Sequence, residues 1–385
     1  MEHLLNDNVK QVEISGIRKF FNMVNDKKDI LSLTIGQPDF HTPEHIKQAA
    51  HEAIDQNHTT YTHNAGIISL RKAIATQVFE DYQLDYHPEN EIIVTAGASQ
   101  AIDISLRTII QPGDEVILPG PVYPGYEPLI KLAGATPVYI DTRETNFKIT
   151  PKQLEGAITN KTKCVILPYP SNPTGVTLTK DELIAIAEVL KGKEIFVIAD
   201  EIYSKLTYET PHFSIAAINQ MKQQTIVING LSKSHAMTGW RIGYVLAPGW
   251  LSKHILKVHQ YNVSCATSIS QYAALEALKN GKEDPTTMRK DYHKRRDYVF
   301  NRLVNMGMEV VKPNGAFYFF PKIQSNKDSF QFAFDLVNEA GVALVPGSAF
   351  SHYGAGYVRL SYAYSMETLE KGLNRLEQYL QKREQ

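Results

Sequence analysis

Short apolar runs alternate with helical patterns between about residues 90 and 250 of this chain. Seven runs are apolar at nearly every position, which is typical of strands buried on both faces of a mainly parallel sheet. They are EIIVT (91–95), EVILP (115–119), PVYID (137–141), CVILP (164–168), IFVIA (195–199), TIVING (225–230) and IGYVLA (242–247). Helical patterns such as 99–110 and 179–192 separate several of the runs. The alternation predicts an α/β domain with right-handed crossovers.

The pattern changes after about residue 285. A long charged helical stretch is followed by a strand candidate (315–321), a helix near 328–340, the run 342–347, a strand (357–363) and a final amphipathic helix. This order predicts a smaller α+β domain. The first 45 residues lack the alternation, and we expect them to pack against that domain. The predicted division is therefore an N-terminal segment (1–45), a large domain (46–285) and a small C-terminal domain (286–385).

Composition and charge narrow the class of protein. The chain has 385 residues, 40 basic and 41 acidic side chains and a formal net charge of −1, so no basic field indicates nucleic-acid binding. No apolar stretch is long enough to predict a membrane span, and the N-terminus lacks the apolar core of a secretory signal. The two cysteines, Cys164 and Cys265, predict neither a disulfide framework nor a zinc site. We expect a soluble, cytoplasmic enzyme without a metal.

Small or polar residues follow four of the predicted strands. AGASQ follows the run 91–95, YPSNPTG follows 164–168, DEIY follows 195–199, and LSKS follows 225–230. Sheets of this kind bind ligands beyond the carboxyl ends of their strands. The four segments therefore predict a binding site at one edge of the sheet.

Asp200 and Lys233 are the strongest single candidates. A carboxylate at the end of an apolar strand is costly to bury, so Asp200 needs a cation or hydrogen bonds; a helix cap or an ion pair would also satisfy it. A lysine near a sheet edge is usually exposed, but a desolvated lysine beside another cation becomes an amine nucleophile. Arg241 is a candidate for that cation and for a phosphate ligand.

The turn Gly97-Ala98-Ser99 enters a predicted helix, where free amides and the helix dipole favour a phosphate. An ordinary strand-to-helix turn capped by Ser99 explains the same residues. The turn has the spacing of neither a P-loop nor a dinucleotide-binding loop.

Together these segments resemble the class I/II aminotransferases, the fold-type I enzymes that depend on pyridoxal 5′-phosphate (PLP). The motifs follow the family's order along essentially the whole chain: LTIGQPDF (33–40), YTHNAGIISLR (61–71), TAGASQAI (95–102), GPVYPGY (120–126), SNPTG (171–175), ADEIY (199–203), NGLSKSHAMTGWRIGY (229–244) and YVRLSY (357–362). The resemblance implies a fold-type I PLP-transferase, with a mainly parallel seven-stranded sheet flanked by helices and a smaller α+β domain.

The resemblance also implies cofactor-binding roles. Lys233 would bond covalently to PLP and move a proton between the substrate Cα and the cofactor, and Asp200 would pair with the pyridine nitrogen. Asn172 and Tyr203 would hydrogen-bond the phenolic oxygen, and Tyr123 would stack on the ring. The phosphate would be held by Ala98, Ser99, Ser232 and Arg241.

Further implied roles concern the substrate and a second subunit. Arg359 would bind the substrate α-carboxylate, with help from Gly36 and Asn172. In this family a tyrosine at the position of Tyr61 reaches the phosphate of the neighbouring subunit, which implies a homodimer. The Asn172–Pro173 bond is expected to be cis.

Several stretches, including LPYPSNPTGVTL and HILKVHQYNVSCA, are similar to the N-acetyl-L,L-diaminopimelate aminotransferases of Gram-positive bacteria. This implies transfer between N-acetyl-L,L-diaminopimelate and 2-oxoglutarate in lysine biosynthesis. Aromatic and other broad-specificity aminotransferases share the catalytic residues, and a C–S β-lyase on the same fold shares the lysine and the aspartate. A PLP-binding transcription regulator is disfavoured because the chain has no DNA-binding module. The sequence does not identify the second cation that a distal carboxylate requires.

Overall fold

A computed structural model describes residues 1–24 and 29–383. Strands within these ranges are β1 Leu31–Ser32, β2 Ile92–Thr95, β3 Glu115–Gly120, β4 Thr136–Asp141, β5 Thr162–Leu167, β6 Phe196–Asp200, β7 Thr225–Gly230, β8 Gly243–Leu246, β9 Tyr318–Phe319, β10 Val342–Ala343, β11 Val345–Pro346 and β12 Val358–Ser361.

The α-helices of the same ranges are α1 Asp7–Lys10, α2 Gly16–Val24, α3 Glu44–Asp55, α4 Ile68–Tyr82, α5 Ala98–Ile109, α6 Tyr126–Leu132, α7 Pro151–Ala157, α8 Lys180–Leu190, α9 Gly249–Val263, α10 Ser268–Asn280, α11 Asp284–Asn305, α12 Ser329–Ala340 and α13 Met366–Gln381. None of the helices in this part of the chain is long and apolar enough to cross a membrane.

The seven predicted runs form one sheet with the strand order β2-β8-β7-β6-β5-β3-β4. Strand β8 is antiparallel to both of its neighbours, and the other neighbouring pairs are parallel. The mainly parallel seven-stranded sheet is thus confirmed, and so is the α/β fold class. Every residue of β2, β7 and β8 is buried, as expected for strands covered on both faces.

Local sequence signals set the ends of the helices that cover the sheet. Helix α8 begins with a capping box, in which the Thr179 hydroxyl accepts from the Glu182 amide and the Glu182 carboxylate accepts from the Thr179 amide. The chain leaves α8 through Gly192, whose φ of +72° favours glycine. The helix predicted over 179–192 is therefore present as α8, Lys180–Leu190.

The chain after residue 285 forms smaller sheets. Strands β11, β12 and β9 make an antiparallel sheet, while β1 pairs in parallel with β10. The predicted strand 315–321 is reduced to Tyr318–Phe319, because Ala316 has a φ of +55° and breaks the extended conformation. The division of the chain at residues 45 and 285 stays a prediction.

Candidate active site

A cavity of about 1110 Å³ lies beyond the carboxyl ends of β2, β5, β6 and β7, where the sequence predicts a site. All of the predicted site residues except Tyr61 line it: Gly36, Ala98, Ser99, Tyr123, Asn172, Asp200, Tyr203, Ser232, Lys233, Arg241 and Arg359. Tyr61 is instead 86% exposed on the surface of this chain. The fold therefore brings together residues that are up to about 320 positions apart in the sequence.

Lys233 follows β7 and projects into the cavity. Its Nζ donates a hydrogen bond to the Gly36 carbonyl oxygen and lies 5.6 Å from the centre of the Tyr203 ring. Burial, together with the nearby charges of Arg359 and Arg241, lowers the pKa of Lys233 to about 8, against a smaller opposing effect of Asp200. A fraction of the Lys233 amine is therefore uncharged near neutral pH, and the uncharged amine is the form that attacks a carbonyl.

Asp200 ends β6 and is 6% exposed. Its Oδ2 accepts a hydrogen bond of 2.7 Å from the Tyr126 hydroxyl, and its Oδ1 accepts one of 3.2 Å from the Ile202 amide. Burial raises the pKa of Asp200, while these two hydrogen bonds oppose the rise. Both hydrogen-bond partners are neutral, so a cation placed in the cavity would compensate the buried charge.

Tyr126 was not singled out by the sequence, although it lies in the motif GPVYPGY. It is 2% exposed at the start of α6, and its ring meets the Tyr123 ring edge-on, with centroids 5.4 Å apart. Burial and the neighbouring Asp200 raise the pKa of Tyr126 well above its usual value, so the hydroxyl stays protonated and donates. The strand pattern, which ends at residue 119, gave no sign that this tyrosine would be buried beside Asp200.

Ala98, Ser99, Ser232 and Arg241 line the cavity and are the candidate anion cradle. Helix α5 begins at Ala98 without a side-chain cap from Gly97, and the Arg241 guanidinium lies against that residue. A Cβ added at Gly97 would meet Arg241 Nη2 at 2.6 Å, and one added at Gly243 would meet the Ala98 nitrogen at 2.7 Å. The glycines thus let a guanidinium and a helix N-terminus come close together, an arrangement that favours phosphate.

Arg359 lies on β12 and is 2% exposed. Its Nη1 donates to Asn172 Oδ1 at 2.9 Å, Nη2 donates to the Thr34 carbonyl, and the buried Nε has no hydrogen-bond partner among the described residues. The guanidinium lies 4.5 Å from the centre of the Tyr318 ring. Burial lowers the pKa of Arg359, and its hydrogen-bond acceptors are neutral. A buried guanidinium of this kind suits a carboxylate ligand.

Tyr318 links the residues around Lys233 to those around Arg359. Its hydroxyl shares a hydrogen bond of 2.7 Å with the Tyr203 hydroxyl, and a Cβ added at Gly36 would meet it at 3.0 Å. The sequence predicts a strand at this position but no role for the tyrosine, because nothing in the strand pattern shows which buried side chains face a ligand.

The Asn172–Pro173 bond is cis, as expected.

Comparison with known proteins decides the family. The family described as "Aminotransferase class I and II" matches residues 28–376. This chain belongs to the class I and II aminotransferases. It is therefore a transaminase, and its cofactor is PLP. The aminotransferase resemblance read from the sequence is confirmed at this level.

Three relatives of this aminotransferase illustrate the range of the family. A "Probable N-acetyl-LL-diaminopimelate aminotransferase" of Bacillus subtilis is 61% identical over 386 residues, which cover 100% of this chain and 98% of the relative. The structure of an aromatic aminotransferase from Pyrococcus horikoshii has a TM-score of 0.90 and 41% identity, covering 96% of this chain and 99% of that one. The structure of Thermus thermophilus aspartate aminotransferase with maleate has a TM-score of 0.92 and 36% identity, covering 97% and 99%.

The residues of the cavity fit PLP. The buried Asp200 carboxylate suits a protonated pyridine nitrogen. The anion cradle, whose close approach Gly97 and Gly243 permit, suits the phosphate. The Lys233 amine, with its pKa lowered to about 8, suits the aldehyde. Each of the three reactive or charged groups of the cofactor thus has a counterpart in the same cavity.

Proposed function

We propose that this aminotransferase transfers an amino group between N-acetyl-L,L-diaminopimelate and 2-oxoglutarate, in the cytoplasmic synthesis of lysine. The observation that carries the choice of substrate is the 61% identity, along the whole chain, to the relative that bears this name. The compared relatives named for aromatic amino acids are less similar, at 40% and 41% identity, and so are those named for aspartate, at 42% or below.

PLP, when bound, provides a conjugated ring that takes up the electron pair left when the substrate Cα loses its proton. In the proposal Lys233 would hold the cofactor covalently, and its Nζ, once the substrate amine has replaced it on the cofactor, would take the proton from Cα. The pKa of about 8 supports this role, because an ordinary lysine amine would be almost fully protonated at neutral pH.

The remaining cofactor contacts are proposed from the family and from the geometry. Asp200 keeps the pyridine nitrogen protonated, and the Tyr126 hydroxyl, 2.7 Å away, orients the Asp200 carboxylate. Asn172 and Tyr203 bind the phenolic oxygen, and Tyr123 covers the ring. The phosphate is held by Ala98, Ser99, Ser232 and Arg241.

Arg359 is proposed to bind the α-carboxylate of the substrate, with help from Gly36 and Asn172. Its hydrogen bond to Asn172 Oδ1, at 2.9 Å, sets the orientation of the guanidinium before a ligand arrives. The arginine is buried on a strand and not on a loop, so little conformational freedom is lost when a carboxylate binds. In the proposal, this contact would hold the substrate Cα within reach of the Lys233 amine.

A half-reaction screen tests the proposed substrates. The holoenzyme is mixed in turn with N-acetyl-L,L-diaminopimelate, glutamate, aspartate, tyrosine and alanine, and the loss of the yellow cofactor absorbance is timed. The proposal expects the fastest conversion with N-acetyl-L,L-diaminopimelate and glutamate. The Lys233→Ala variant is the control, in which no amino acid should give catalytic conversion. Faster conversion with tyrosine would contradict the proposal and would indicate an aromatic aminotransferase.

The same preparation distinguishes the remaining alternative, a C–S β-lyase. The holoenzyme is incubated with cystathionine in the absence of any 2-oxo acid, and pyruvate and ammonia are measured. The proposal expects neither product at a rate comparable with amino-group transfer. Steady release of both would indicate a lyase.

We further propose that two copies of the chain form a homodimer, in which Tyr61 reaches the phosphate of the neighbouring site. Tyr61 is 86% exposed and is not among the residues that line its own cavity, which supports this. Mixing Tyr61→Ala subunits with Lys233→Ala subunits tests it. A hybrid dimer then has one site with a normal lysine and a normal neighbouring tyrosine, so activity should return. If mixed subunits exchange but stay inactive, Tyr61 does not act across the interface.

A further inference from the structure

The N-terminal helix α2 contributes one wall of the cavity. Ile17, Arg18 and Phe21 line it from this helix, and Glu13 lines it from the preceding segment. Phe20, on the same helix, is 1% exposed and packs in a cluster with Ala333, Val337 and Ala343. This buried contact anchors α2, and it therefore determines where Arg18 is presented to the cavity.

One of the cationic side chains that line the cavity has no role in the proposed function. The cationic side chains are those of Arg18, Lys233, Arg241 and Arg359. The proposed function uses the last three for the aldehyde, the phosphate and the α-carboxylate. Arg18 is exposed and forms no ion pair within the described residues, whereas the nearby Glu13 carboxylate is paired with Lys19 at 2.9 Å. Among the described residues, the unpaired charge on the cavity wall formed by α2 is therefore that of Arg18, and it is positive.

We propose that Arg18 binds the distal carboxylate of the substrate and thereby makes the enzyme selective for dicarboxylic substrates. The inference rests on the proposed function, in which both N-acetyl-L,L-diaminopimelate and 2-oxoglutarate carry a carboxylate at the far end of the side chain. Both carboxylates of such a substrate require a partner, and Arg359 supplies only the first.

The chemistry of arginine suits this position. Its guanidinium can hold a carboxylate with two parallel hydrogen bonds, and its flexible stem can follow substrates of different length. Apolar side chains lie between the two ends of the site, since Ile17, Phe21, Ile35 and Ile102 also line the cavity. They would pack against the methylene groups between the two carboxylates of the substrate. The Thermus thermophilus relative was solved with maleate, which is a dicarboxylate.

The test compares glutarate with valerate, which have the same carbon chain and differ in the second carboxylate. Binding to the holoenzyme is measured by calorimetry for the native chain, Arg18→Gln, Arg18→Lys and the control Arg107→Gln. Arg107 is paired with Asp103 and does not line the cavity. We expect the native chain to prefer glutarate by about 10- to 100-fold, from a charge-assisted hydrogen-bonded pair. Arg18→Gln should lose this preference, Arg18→Lys should keep part of it, and Arg107→Gln should keep all of it.

Kinetics provide the second measurement. In Arg18→Gln, the KM for 2-oxoglutarate should rise about 10- to 100-fold, while the KM for pyruvate should stay unchanged. Equal losses for both ligands or both acceptors would overturn the role of Arg18, and so would a native chain without preference for glutarate. Failure of the proposed function would be seen separately, as slow conversion of N-acetyl-L,L-diaminopimelate by the native holoenzyme.

Discussion

The two sides of the cavity are built differently. The proposed cofactor side consists of Ala98, Ser99, Asp200, Ser232, Lys233 and Arg241, each of which lies at or near an end of a strand of the large sheet. The proposed substrate side consists of Arg18, Gly36, Tyr318 and Arg359, which come from the N-terminal region and from the chain after residue 285. The cofactor side is thus fixed by one sheet, whereas the substrate side is assembled from distant segments that can change independently of it.

The proposed roles would allow relatives with different amino acids in their names to share one fold. The groups assigned to the cofactor lie at strand ends, and the helix that presents Arg18 lies outside the large sheet. If Arg18 selects the substrate as proposed, changes in α2 would alter the preferred side chain and leave Asp200 and Lys233 in place. Substitutions on each side test whether the cofactor side and the substrate side act independently.

The largest effect is expected for Lys233→Ala, which removes the amine on the cofactor side. We expect the transamination rate to fall by about 10⁴-fold or more, because Lys233 is the only lysine among the described residues that line the cavity. Steady-state rates and the binding of an inert substrate analogue should be measured together. If the cofactor and substrate sides are separate, the analogue should bind almost normally. A variant that keeps more than a few per cent of the rate would contradict the assignment of Lys233.

Arg359→Gln should have the next largest effect, and it should fall on the substrate side. Loss of a buried bidentate guanidinium is expected to lower kcat/KM on the order of 100- to 1000-fold. The cofactor absorbance spectrum should shift as well, because Arg359 hydrogen-bonds Asn172, a proposed ligand of the phenolic oxygen, and its charge lowers the pKa of Lys233. Unchanged kcat/KM would show that another group binds the α-carboxylate.

A smaller effect is expected for Tyr126→Phe, which removes the hydroxyl that donates to Asp200. The loss of one hydrogen bond to a buried carboxylate should raise the pKa of Asp200 further and weaken its hold on the pyridine nitrogen. We expect kcat to fall about tenfold. A pH titration of the cofactor absorbance separates this positioning role from loss of packing. If the titration midpoint and kcat match those of the native enzyme, Tyr126 does not position the carboxylate.

The pKa of Lys233 predicts a pH dependence for attachment of the cofactor to the apoenzyme. The reactive form is the neutral amine, whose fraction increases as the pH rises through about 8 and then levels off. Between pH 7 and pH 8 the rate should rise about fivefold. Stopped-flow absorbance after addition of PLP measures this profile. A midpoint near 10, the ordinary value for lysine, would show that the cavity does not lower the pKa.

Strand ends predicted much of the proposed cofactor side, whereas on the proposed substrate side Gly36 and Arg359 were expected only from the family resemblance, and Arg18 and Tyr318 were not expected at all. Polar residues directly after apolar strands predict a common edge, and for this reason Asp200 and Lys233 stood out before any resemblance was considered. Arg18 and Tyr318 carry no such signal. Arg18 is one of two charged residues on the amphipathic helix α2, and Tyr318 is one of several aromatic residues in a buried run. Their positions depend on how distant segments pack, which local patterns do not encode.

The most direct test of the central claim is to find the residue that holds the cofactor. The native holoenzyme is reduced with borohydride, which makes a lysine–PLP linkage permanent, and the digested peptides are analysed by mass spectrometry. The account predicts one modified peptide, with the added mass on Lys233, and none in an apoenzyme control. An adduct on a different lysine, or no adduct in a yellow holoenzyme, would contradict it.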